Sequence, residues 1–114
     1  MRILIGAFAV ALLMGCVGPG DLEKKEPSIT VTTHKDPRSY ALCVFPKWQT
    51  ARTDSFLTET LTGYRLLVAS NNMADEMLDV VKTRDGSSVV LYQRMAWSKM
   101  LGRSAVEAAV KSCL

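Results

Sequence analysis

The chain is short of the residue types on which most enzyme sites are built. It has one histidine, three cysteines and four prolines among 114 residues, and aromatic residues make up 7%. With a single histidine, neither a multi-histidine metal site nor a His-based catalytic triad is expected. Gly63 and Gly102 stand alone, so there is no glycine-rich phosphate loop. Beyond the first 15 residues no apolar run approaches the roughly 20 residues that span a bilayer. Charge of neither sign dominates: the formal balance is +3, too small to imply an acidic partner. The whole chain is 48% hydrophobic and 22% charged, and with its apolar amino-terminus set aside it has the composition of one small globular domain whose core needs additional fastening.

The amino-terminus has its own pattern. Met1-Arg2 is a short basic region, and residues 3–14 are apolar apart from Gly6, too short a run for a transmembrane helix. It ends in Leu13-Met14-Gly15-Cys16. In this order of features the chain resembles bacterial lipoprotein precursors. The resemblance implies a signal peptide over 1–15, cleavage after Gly15, and fatty acylation (palmitate among the chains) of Cys16. Residues 16–28 would then be the lipidated cysteine and a flexible tether, because Gly, Pro and mixed charges do not nucleate a packed element. Residues 29–114 would form the domain. By the same resemblance, Val17, where an Asp would retain a lipoprotein in the inner membrane, implies an outer-membrane anchor in a Gram-negative bacterium with the domain facing the periplasm.

If Cys16 carries lipid, Cys43 and Cys113 remain, and in an oxidising compartment an even pair predicts a disulfide. Closing a loop of this length contributes on the order of 4 kcal/mol in the chain-entropy model. No metal set is expected, since two distant cysteines and His34 do not supply four ligands.

Along the domain, residues 29–33 are β-branched and suit a short edge strand. Asp36-Pro37 is a helix start, with Tyr40, Leu42, Cys43 and Val44 following, and Pro46 is expected to bend or end that helix. Whether Trp48 lies on a continued turn stays open. Residues 56–70 read as one strand centred on 64–68 with Gly63 as a bulge, and Asn71-Asn72 as a turn. Asp85-Gly86 between two β-prone runs predicts a hairpin pairing Val80 with Leu91 and Lys82 with Val89. Leu78, Val80, Val89 and Leu91 then share the core face, while Asp79, Val81, Val90, Tyr92 and Arg94 share the wetter one. Residues 96–101 are ambiguous. From Arg103 the apolar spacing predicts an amphipathic helix. The expected architecture is α+β: a small antiparallel sheet of three strands, or four, with two helices on one face joined by the disulfide.

Candidate chemistry is sparse. Asp75, Glu76 and Asp79 are read as a solvated strand edge rather than an acid–base pair. His34 is read as an exposed imidazole, and Ser87-Ser88 as turn residues. Trp48 with Lys47 and Arg52, and Trp97 with Arg94, Lys99 and Arg103, mix aromatic and basic residues. The plain reading is two half-buried tryptophans among solubilising charges. The functional reading makes Trp48, Trp97 and Arg94 contacts for an envelope protein, since Trp and Arg are favoured interface anchors. Export argues against nucleic acid as the partner, and no cofactor is expected. The sequence thus predicts a non-enzymatic lipoprotein with a structural or accessory protein-binding role. The alternative is an inhibitor or immunity protein acting on a periplasmic hydrolase or toxin.

Overall fold

The computed structural model describes residues 18–70, 73–95 and 102–114. Cys16, Trp97, the Asn71-Asn72 turn and the stretch 96–101 lie outside the described residues. The elements are α1 (Pro19–Glu23), β1 (Ile29–Thr33), α2 (Pro37–Ala51), β2 (Ser55–Glu59), β3 (Gly63–Ser70), β4 (Met73–Thr83), β5 (Gly86–Gln93) and α3 (Arg103–Ser112). The fold is α+β, with one antiparallel five-stranded sheet in the order β1-β5-β4-β3-β2. Strands β2 to β5 form a meander, and β1 closes its far side along β5.

The sheet therefore has more strands than the three or four expected. Residues 56–70 are a hairpin, not one strand: Thr60 donates its N–H to the carbonyl of Gly63 at 2.9 Å across a turn without the usual turn residues. Gly63 is no bulge. It begins β3 where a Cβ would stand 1.9 Å from the carbonyl oxygen of Val80, so only glycine fits. The bulge lies further on, between Val68 and Ala69.

The β4–β5 hairpin turns at Arg84-Asp85, because Thr83 pairs with Gly86. Val80 faces Val89 and Leu78 faces Leu91, a two-residue shift from the expected register. A shift of two keeps every side chain on its face, so the predicted core set is the buried set. Gly86 serves close packing rather than the turn: a Cβ there would sit 2.0 Å from the Thr33 carbonyl oxygen.

Helix α2 starts as its sequence dictates. The Asp36 carboxylate accepts from the Ser39 N–H at 3.1 Å and from its hydroxyl at 2.6 Å, with Pro37 at the first helical position. Pro46 does not end the helix, which runs on to Ala51. Pro46 and Leu42 both lie on the exposed side, so the carbonyl left without its N–H partner faces water. Meanwhile Tyr40, Ala41, Val44 and Trp48 continue the buried stripe.

Helix α3 buries Val106, Ala109 and Val110 against the same sheet face. The two helices are joined three times. Tyr40 donates its hydroxyl to the Val110 carbonyl at 2.7 Å, and Trp48 donates its indole N–H to the Val106 carbonyl at 3.1 Å. Cys43 is bonded to Cys113, the residue that caps α3. Lys35 adds a fourth tie by donating from Nζ to the Cys113 carbonyl at 2.6 Å.

The opposite face of the sheet is not bare. The segment expected to be coil tether contains α1, whose Leu22 is fully buried with Ala74 and Met77 and packs against Leu67 and Tyr92. Burying one leucine gives roughly 2 kcal/mol, which holds a helical turn too short to persist alone.

Candidate functional site

One end of the sheet gathers most of the buried charge. The bulge in β3–β4 leaves Asp75 between the Val68–Glu76 and Ala69–Ala74 pairs. The usual alternation of faces is broken there, and both Asp75 and Glu76 are buried, at 2% and 0% exposure. This overturns their reading as a solvated edge. Asp79 is half-buried and paired with Arg65 at 2.7 Å.

Four chain segments supply the partners. Asp75 accepts from the Ser70 hydroxyl at 2.6 Å and from Arg52, at the end of α2, at 3.1 Å. It also accepts from the Arg94 guanidinium, with Nε at 3.0 Å, while Arg94 donates its backbone N–H to the Asp75 carbonyl at 2.8 Å. Arg52 further binds Asp54 at 2.9 Å. Glu76 accepts from Nε of Arg103 at 2.6 Å, and Arg103 reaches on to the carbonyls of Arg94 and Met95, both at 2.7 Å. Oε2 of Glu76 is buried with no hydrogen-bond partner among the described residues.

The two carboxyls respond differently. Burial pushes Asp75 upward, but hydrogen bonds from Ser70, Arg94 and Arg52 outweigh it and leave the group below its ordinary value. At Glu76 burial prevails over Arg103, and the pKa is raised. The arrangement is a brace: opposite charges consume one another while tying the end of α2, the start of β4, the end of β5 and the start of α3. Among the described residues no group of three or more His, Cys, Asp or Glu side chains converges as a metal set.

The predicted site residues fall apart accordingly. Cys43 and Cys113 are bonded to each other. Trp48 is fully buried and offers nothing to a partner in this fold. Arg94 is engaged with Asp75 and is mostly covered. His34 is exposed in the connection before α2.

The opposite end of the sheet carries a feature the sequence did not single out. Leu61 projects fully exposed from the tip of the β2–β3 hairpin. Beside it an open groove of about 450 Å³ is lined by Asp36, Pro37, Arg38, Glu59, Leu61 and Lys82, among others. The one sequence signal was an apolar residue between two threonines in a segment read as continuous strand. Comparison with protein-family models, curated proteins and solved structures found no match.

Proposed function

We propose that the chain is a lipid-anchored accessory protein of the bacterial cell envelope that works by binding a protein partner, with Cys16 carrying the lipid and the domain facing the periplasm from the outer membrane. Support for the anchor comes from the cysteines: the Cys43–Cys113 bond leaves Cys16, at the end of the apolar run, as the one remaining thiol. The observation that carries partner binding is Leu61. A fully exposed leucine at the tip of a tight hairpin, with a charged groove at its base, can enter an apolar pocket on a partner while the groove meets polar groups around it. The tip stands about 20 Å along β3 from the Ala69–Ala74 pair near α1, so an anchor at the amino-terminus leaves it free to engage.

The test is site-specific photocrosslinking from the exposed position 62, beside Leu61, in the lipidated chain in its native envelope. One stoichiometric envelope protein, lost in Leu61→Asp, supports the reading, and an unchanged pattern in Leu61→Asp overturns it. Cys16→Ser should release the protein from membranes. The same protruding tip favours a second reading as an inhibitor of a periplasmic hydrolase. Capture of a hydrolase whose activity falls on binding would select that reading.

A further inference from the structure

The sheet face opposite α2 and α3 has a cover of unusual lightness. Helix α1 has five residues and, among the described residues, is fastened at one fully buried apolar side chain, Leu22, and one ion pair, Glu23 with Arg65. On either side the chain is polar: Asp21, Lys24, Lys25 and Glu26 are exposed. Beneath Leu22 an apolar row crosses the sheet through the paired positions Phe56–Leu67, Leu67–Met77 and Met77–Tyr92. Met77 is fully buried under this cover, whereas Phe56, at the end of the row, is 55% exposed.

The ionic fastening is replaceable. Arg65 also holds Asp79 through Nε at 2.7 Å and Nη2 at 3.2 Å, so losing Glu23 strands no charge. Release of α1 would break no backbone pairing of the sheet, because β1 begins only at Ile29, and Ser28 is held separately by the Leu91 carbonyl at 2.8 Å.

We propose that α1 is a releasable clasp, closing over the Leu67–Met77–Tyr92 row and opening without unfolding the domain, and that it sets the distance between the domain and its anchor. The second half rests on the lipid at Cys16; the first does not. With the clasp closed, one residue, Val17, separates Cys16 from Gly18, a span of at most about 7 Å. With it open, the twelve residues between Cys16 and Ile29 let the leash reach about 20 Å as coil and about 45 Å extended. Opening thus lengthens the leash and uncovers an apolar row in one step.

The experiment compares the full chain with its Leu22→Asp variant, reading Met77 oxidation by dilute peroxide through peptide mass spectrometry, alongside thermal unfolding. The expected result is a rise of about tenfold or more in the Met77 oxidation rate, with a midpoint within a few degrees of the parent. A collapse of the midpoint comparable to a core substitution would make α1 part of the cooperative unit and overturn the clasp. Equal oxidation rates in the two proteins would also overturn it, because the cover would then not protect Met77. The lipidated proteins on phosphatidylethanolamine/phosphatidylglycerol vesicles provide the reach, read by energy transfer from a label at position 61 to a bilayer dye. A longer distance in Leu22→Asp is expected, and an unchanged distance overturns the leash. Should neither protein be lipidated or bind vesicles, the anchor reading fails while the oxidation result stands by itself.

Discussion

The two faces of the sheet are covered by opposite strategies. On one, α2 and α3 bury a continuous core and are joined to each other by a disulfide and two hydrogen bonds from buried aromatic side chains. On the other, a single helical turn rests on one leucine and one ion pair. Both covers exclude water from apolar strand positions. Only the first is linked by a covalent bond and by buried hydrogen bonds, so its loss takes the whole fold with it. The second draws on about one side chain's worth of burial and sits at the low end of the local stability range.

Trp48→Ala should have the largest effect, because it removes a fully buried indole and its bond to the Val106 carbonyl. A loss of about 4 kcal/mol in urea unfolding is expected, and a loss below about 1 kcal/mol would mean the helices do not share one core. Cys43→Ala comes next, lowering the melting temperature by about 10 °C or more; an unchanged value would place the two covers on equal footing.

The brace gives a pH test. Glu76 has a folded-state pKa above its ordinary value of 4.5, so the folded chain holds this proton more readily than the unfolded one. Its contribution is full below 4.5 and is lost as pH rises through the folded value. Asp75 is depressed, so its contribution is present above its ordinary 3.8 and is lost as pH falls through the folded value. Melting temperature should therefore gain from Glu76 on mild acidification and fall only at lower pH. In Glu76→Gln the gain should vanish; an identical pH profile would show that the buried carboxyl does not titrate in this range. Smallest of all, Glu23→Gln should leave global unfolding unchanged within about 0.5 kcal/mol, as expected for a partly exposed pair whose arginine keeps Asp79. A larger loss would join α1 to the cooperative core.

The sequence disclosed the parts of this fold that depend on local chemistry. The Asp36-Pro37 start, the spacing of Val106, Ala109 and Val110, and the inward set Leu78, Val80, Val89 and Leu91 are all readable from a few neighbouring residues. Elements that depend on distant contacts were not. Thr60-Leu61-Thr62 turns without Gly, Pro, Asn or Asp, so a hairpin looked like one strand. Gly86 resembled a turn residue although Thr33 is what requires it, and Pro46 resembled a stop although its defect faces water. Asp75 and Glu76 looked wet because their counter-charges, Arg52, Arg94 and Arg103, lie far off in the chain, and a bulge turns two adjacent acids inward together. Leu22, alone in a polar stretch, showed no periodicity to mark it as packed.

The bond between Cys43 and Cys113 also divides the molecule mechanically. Residues 43 to 113 form a covalently closed loop that contains β2 to β5 and α3. Helix α1, β1 and the opening turns of α2 hang outside it. Any tension entering from the amino-terminal side is therefore carried first by α1, then by the hydrogen bonds between β1 and β5, and is arrested at Cys43. Under a pull between the two termini the load crosses there to Cys113, so the chain of the four strands β2 to β5 cannot be drawn out.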